Sequence, residues 1–182
     1  KPGIYEVAMG TSLNEVLALA GGYSKSLKAL HIGGPLGGVV PIEKVSNLTV
    51  DFESFAKEGF LLGHASVIGI PVETRMIDYI EHIFEFTVAE SCGKCYPCKL
   101  GSVRGQEMIQ NAISGEQMID RVLLDDLLET MELGSLCALG GGVPLPIQNI
   151  LQYFPDEISP YLSVNNKSNP TSVVKVEENN HE

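Results

Sequence analysis

Three cysteines at two-residue gaps, Cys92-x-x-Cys95-x-x-Cys98, and one distant fourth, Cys137, constrain this chain more than anything else in it. Thiolates at that spacing converge on one face of a loop or first helical turn, so the first three present soft ligands toward one point. A fourth ligand is needed, and Cys137 supplies it from the end of another predicted helix. Four thiolates so arranged suit a 4Fe-4S cubane. Structural zinc is the main rival because it also takes four cysteines, although its usual spacing is two separated CxxC pairs. Disulfides and inert thiols complete the alternatives. Cys92, Cys95, Cys98 and Cys137 are the candidate metal and cofactor ligands, and no catalytic residue is predicted.

Charge near the cysteines favours the cubane. Lys94, Lys99 and Arg104 are the only charged residues from Ser91 through Arg104, whereas the whole chain has 12 basic and 23 acidic residues, a net charge of −11. A cubane on four thiolates is anionic, so nearby cations would stabilise it and favour its reduction. Taken singly, each cation is also an ordinary solvated side chain. The acidic balance disfavours nonspecific binding to nucleic acid or anionic lipid. With 44% hydrophobic and 19% charged residues over 182 positions, the chain reads as globular, one ordinary domain or two small ones. No apolar run is long enough to cross a membrane, and Lys1-Pro2-Gly3-Ile4-Tyr5-Glu6 lacks the pattern of a secretory signal. Reduced thiols in a cytoplasmic setting are expected, free or on the cytoplasmic face of a membrane-bound complex. Because the chain opens on Lys1 inside a strand-like run, sequence is expected to have preceded it.

The first seventy residues mix short β-like runs with one helix. Ile4 to Val7 reads as a strand, and Ser12-Leu13-Asn14-Glu15 has the capping-box pattern that starts a helix. Leu13, Val16, Leu17 and Ala20 share a face, and Gly21-Gly22 stops it. Strands are expected at Leu27 to Ile32, Val39 to Ile42 and Ser66 to Val72, with a tight loop at Gly33-Gly34-Pro35-Leu36-Gly37-Gly38. Beyond Val72 the apolar period becomes helical. Met76, Ile77, Ile80, Ile83 and Phe84 form one stripe; Leu100, Val103, Ile109, Ala112 and Ile113 a second; Val122, Leu123, Leu127, Leu128 and Met131 a third; Ile147, Ile150, Leu151 and Phe154 a fourth behind Pro146. Gly101 and Gly105 weaken the second helix in its first turns. The four helices are expected to bury one core as a bundle, and the polar stretch from Ser163 onward reads as a tail.

These residues resemble the NADH-oxidising, F-type flavoprotein subunit of respiratory complex I and its relatives in NAD-linked hydrogenases and formate dehydrogenases. Glu90-Ser91-Cys92-Gly93-Lys94-Cys95-Tyr96-Pro97-Cys98 with Gly101, and then Ser135-Leu136-Cys137-Ala138-Leu139-Gly140, are similar to both halves of that family's 4Fe-4S signature. Pro2-Gly3-Ile4-Tyr5-Glu6-Val7, Gly10-Thr11 and the Gly33 to Gly38 loop resemble its ubiquitin-like β-grasp (SLBB) module. The resemblance implies an α+β chain: a β-grasp module over 1–72, a four-helix bundle carrying the iron-sulfur cluster over 73–162, and a polar tail over 163–182. It also implies an electron relay, in which the cluster accepts electrons from FMN and passes them to clusters in neighbouring subunits. The expected partners are thus a flavin- and NADH-binding domain or subunit and other iron-sulfur subunits; nucleic acid and membrane insertion are not expected. A zinc-stabilised interaction module without redox activity is the alternative.

Two departures bear on this. The family usually has Gly-Ser-Gly-Gly where this chain reads Gly63-His64-Ala65-Ser66. The family's NADH and FMN domain is absent, and the Gly33 to Gly38 loop fits neither GxGxxG nor GxxxxGK[ST]. FMN and NAD are therefore expected only in a parent complex. His31, His64, His82 and His181 share no ligand spacing and read as surface or core residues. Ser91 and Ser135 read as capping or turn residues.

Overall fold

The protein was analysed as a computed structural model, in which residues 1–163 are described. The expected tail lies outside them, save Ser163. Helix α1, Leu13–Leu19, starts at the anticipated capping box: Ser12 Oγ accepts from the Glu15 N–H (3.3 Å) and Glu15 Oε2 accepts from the Ser12 N–H (3.2 Å). It stops at Gly21 and Gly22, both at positive φ. Strands β1 (Leu27–Ile32), β2 (Gly38–Pro41) and β3 (Val67–Pro71) form one antiparallel sheet in the order β2-β1-β3. The expected strand at Ile4 to Val7 does not form, and Ile4 is fully exposed. An extended segment without a hydrogen-bonded neighbour gains nothing from strand geometry, and among the described residues no strand pairs with this one.

Side-chain alternation along the strands buries both faces of the sheet. Leu30, Ile32 and Val40 face a cluster with Leu13, Val45, Leu48, Phe55 and Phe60. Ala29, Val39 and Ile70 face the helices. The first cluster is closed by two elements that apolar periodicity did not reveal. One is a 3-10 turn, Ile42–Asn47, which ends β2 one residue early; the other is α2, Phe52–Lys57, capped where Asp51 Oδ1 accepts from the Ser54 N–H at 2.6 Å.

The larger cluster is helical. Helix α3 spans Met76–Glu90 and buries Met76, Ile77, Ile80, Ile83 and Phe84 as expected. Helix α4, Tyr96–Ser114, buries Ile109 and Ala112 and packs Ile113 on the core as expected, but its first turns face differently: Leu100 and Val103 are exposed, and the buried set is Gly101, Gly105, Met108, Ile109 and Ala112. The spacing of that inner set is i, i+4, i+7, i+8, i+11, a helical stripe whose first two members are glycines. A Cβ at Gly105 would run into the Phe84 ring, and one at Gly101 would stand 2.7 Å from Met131 Cγ. The glycines therefore give up helix propensity so that α3 and α5 can approach. Helix α5, Arg121–Gly134, exposes Val122 and Leu123 and buries Leu124, Leu128 and Met131. Short α6 (Ala138–Gly142), α7 (Pro144–Tyr153) and α8 (Pro155–Ile158) complete the layer. Helix α7 starts at Pro144 instead of Pro146, and Pro155 opens α8.

Polar groups stitch the sheet to the helices. The buried His31 ring lies between the Gly37 carbonyl, 3.1 Å from Nε2, and the Tyr79 hydroxyl, 2.7 Å from Nδ1. A carbonyl only accepts, so Nε2 carries the proton and Nδ1 accepts from Tyr79. Burial pushes His31 below its ordinary range and Tyr79 up to about 12, which keeps both neutral at pH 7. Asn149 of α7 accepts from the Val39 N–H (3.1 Å) and donates to the Gly59 carbonyl (3.4 Å). Glu157 accepts from Lys28 of β1 at 2.6 Å and from the Met76 N–H, the first of α3, at 3.2 Å.

Candidate metal centre

The four cysteines lie at the ends of helices. After α3, Gly93 adopts a φ of +76° and reverses the chain, so that Cys95 becomes the residue before α4 and Pro97 sits in its first turn, where a missing N–H costs nothing. The Lys99 N–H donates to the Cys95 carbonyl at 2.8 Å, which sets Cys98 in that turn and buries it. The second arm follows α5. Ser135 and Leu136 cross to Cys137, which precedes α6; the Gly141 N–H donates to its carbonyl at 3.1 Å. Gly140 to Gly142 belong to this short helix.

Two glycines bring the arms together. A Cβ at Gly134 would stand 2.7 Å from Pro97 Cγ; one at Gly140 would stand 2.6 Å from Cys98 Cβ and run into Ser135 Oγ. The Cys137 arm thus passes directly over Cys98. All four cysteines are free: Cys92 and Cys137 are exposed, Cys95 half-buried, Cys98 buried. Among the described residues, no three His, Cys, Asp or Glu side chains gather closely enough to hold one metal ion.

Hydroxyls surround the buried thiol. Ser91 Oγ accepts from the Gly93 N–H at 3.3 Å and lies 3.4 Å from Cys98 Sγ. Ser102 Oγ donates to the Cys98 carbonyl at 2.6 Å. Ser135 Oγ is buried and, among the described residues, is the one buried side-chain nitrogen or oxygen without a hydrogen-bond partner. Sequence reading placed Ser91 and Ser135 as caps or turns; only the folded arrangement shows that both border Cys98. Of the three cations, Lys94 and Lys99 are exposed and absent from the described ion pairs, while Arg104 is paired with Glu107 at 3.1 Å. Four soft donors, side-chain-free backbone at their junction and an unspent buried donor fit an anionic sulfur-rich group.

Other candidates lie elsewhere. His64 and His82 are exposed, His82 beside Glu85 at 3.5 Å, and His181 lies outside the described residues. A cleft of about 770 Å³ on the sheet side, lined by Tyr5, Leu17, Tyr23, Leu27, His64 and Val67 among others, contains none of the cysteines.

Residues 78–161 match the family described as the NADH-ubiquinone oxidoreductase-F iron-sulfur binding region. Over 94% of its length the chain is 33% identical to the NADP-reducing hydrogenase subunit HndC of Solidesulfovibrio fructosivorans, covering 35% of that protein. It is 35% identical to the F 2 subunit of the NADH-quinone oxidoreductase of Rhizobium meliloti (strain 1021), covering 85% of this chain and 37% of the relative. The chain therefore spans little more than a third of these relatives. A crystal structure of an NAD+-reducing nickel-iron hydrogenase in its H2-reduced state shares the fold with a TM-score of 0.77 at 24% identity, over 91% of this chain and 28% of that one. The segment that carries Cys92, Cys95, Cys98 and Cys137 is thus an iron-sulfur binding region of the NADH-ubiquinone oxidoreductase F family.

Proposed function

We propose that this chain is the electron-relay portion of an NADH-linked oxidoreductase, with Cys92, Cys95, Cys98 and Cys137 as the four ligands of a 4Fe-4S cluster. The observation that carries this reading is the passage of the Cys137 arm over buried Cys98 at Gly140. Zinc would draw all four sulfurs onto one ion at about 2.3 Å each, whereas a cubane gives each thiolate its own corner iron. The spacing of three cysteines at two-residue gaps plus one distant fourth, instead of two separated CxxC pairs, supports the second arrangement.

The bound cluster supplies a one-electron acceptor and donor. Everything else falls to the chain. Cys98, buried in the first turn of α4, fixes the inner corner, while the exposed Cys92 and Cys137 leave the outer side open to a partner. Lys94 and Lys99 offset the added negative charge. In this reading residues 1–72 form the SLBB-like β-grasp module, 73–162 the cluster-binding helices, and 163–182 a tail. FMN and NAD are held by a flavin-binding domain or subunit, and further iron-sulfur subunits accept the electrons, in a cytoplasmic or membrane-associated complex.

The test is anaerobic reconstitution followed by reduction. Dithionite should reduce the cluster by one electron. NADH should do so only when a separate flavin reductase and FMN are added, and the chain should retain no flavin of its own. Stoichiometric FMN on the purified chain, or reduction by NADH alone, would overturn the reading.

A further inference from the structure

We propose that Ser135 and Ser91 set the reduction potential of the centre, by donating hydrogen bonds to sulfur at the Cys98 corner. This rests on the cluster reading above and adds to it the residues that tune the couple. Ser91 Oγ accepts from the Gly93 N–H and lies 3.4 Å from Cys98 Sγ; a cluster-bound thiolate carries no proton, so in that pair the Ser91 hydroxyl would be the donor. Ser135 reaches the same corner from the other arm: the place where a Gly140 Cβ would stand is contacted by Ser135 Oγ and lies 2.6 Å from Cys98 Cβ. Its hydroxyl is buried without a partner among the described residues. A buried donor left unsatisfied costs stability, so a retained one marks a missing acceptor. Cluster sulfur is the acceptor that the four surrounding cysteines would bring.

Reduction places one electron, supplied by dithionite in the test, on the cluster and increases the negative charge on its sulfurs. No proton is transferred. A hydroxyl donor strengthens its bond to the more negative state and so favours reduction. Ser102 is the internal control: it is buried beside Cys98, but its hydroxyl is spent on the Cys98 carbonyl.

The experiment is an EPR-monitored potentiometric titration of the reconstituted full chain and of Ser135→Ala, Ser91→Ala and Ser102→Ala. At the wild-type midpoint, the reduced-to-oxidised ratio should fall about tenfold in Ser135→Ala, a 59 mV lowering of a one-electron midpoint. It should fall in the same direction in Ser91→Ala and stay within about twofold in Ser102→Ala. Cluster-free Ser135→Ala should be at least as heat-stable as cluster-free wild type, because its hydroxyl has no partner there; a structural role would make it less stable. A full cluster with an unchanged midpoint in Ser135→Ala, or an equal shift in Ser102→Ala, overturns this inference and leaves the relay reading intact. Wild-type chain that takes up no iron and sulfide overturns both. If Ser135→Ala takes up no cluster, resonance Raman of the wild type decides: transfer to D2O should shift the iron–cysteine sulfur bands, and no shift overturns the assignment.

Discussion

The two ends of the helical layer treat buried polar groups in opposite ways. Where the layer meets the sheet, His31, Asn149 and Glu157 each bond two partners, and none of their buried side-chain nitrogens or oxygens lacks one. Where it carries the cysteines, Ser135 holds a buried hydroxyl with no partner among the described residues, and the thiols of Cys92 and Cys137 are exposed beside the exposed apolar side chains of Tyr96, Leu100, Leu133 and Leu136. The first end is a finished joint. The second has the properties of a site completed by something the polypeptide does not itself supply. Stability and function are therefore separable in this molecule: changes at the sheet seam should act on folding whether or not the centre is loaded, and changes at the cysteine end should act through the centre.

Four experiments bear on that separation, beginning with the largest expected effect. Replacing Cys137 with Ala should abolish the cluster or convert it to a three-iron form, with a changed low-temperature EPR spectrum and a melting temperature lowered to near that of the cluster-free protein. A full cubane with unchanged spectrum and stability in that variant would show that Cys137 is not the fourth ligand. At the seam, Asn149→Ala leaves the buried Val39 N–H without its acceptor and should cost about 1–3 kcal/mol in denaturant titrations. The loss should be equal in cluster-free and cluster-loaded protein; a loss confined to the loaded form would erase the distinction between the two ends.

Acidity probes the same joint. Burial depresses His31, with nearby His82 adding to the effect, and the folded state holds it neutral. The unfolded chain takes up a proton at His31 below about pH 6.5, so the His31 contribution to stability is fully present above that pH. It is lost as pH falls toward the depressed folded value. Tyr79 works at the other extreme: its folded value is about 12, so stability should decline as pH rises from about 10, where the unfolded tyrosine ionises, toward that value. Thermal melts of His31→Gln should lack the acid-side decline attributable to this residue; an unaltered pH profile would mean that His31 does not titrate with unfolding.

The smallest effect is expected at Ala65, the one non-glycine residue at positive φ among the described residues, at +59°. An L-residue in that conformation is strained by about 1–2 kcal/mol. Ala65→Gly relieves that strain but adds unfolded-state entropy, for a net gain below about 1 kcal/mol, a rise of about 1–3 °C in melting temperature. A fall would show that the surrounding loop selects the alanine.

Helix existence was legible in the sequence, because Met76 to Phe84 and the later stripes repeat at the helical period and Ser12 with Glu15 spells out a cap. Helix facing was less so. Gly101 and Gly105 look like breakers in one dimension, and only the proximity of Met131 and Phe84 reveals them as the inner face of α4. The run from Ile4 to Val7 has strand-like residues, but strand formation depends on a partner edge that no local pattern encodes. Helix α2 is six residues long, too short for periodicity to register. At the site, spacing alone selected the cysteines, since ligand chemistry is written in residue type. Ser135 and Ser91 were read as turns because their proximity to Cys98 arises from two arms that are distant in sequence.

Quantifying iron, zinc and acid-labile sulfide per chain after anaerobic purification and reconstitution tests the cysteine end most directly. The cubane requires about four irons and four sulfides per chain, lost together in the cysteine variants, with no zinc retained. One zinc per chain without sulfide would contradict it, and would make the cysteine end a structural clamp instead of a relay.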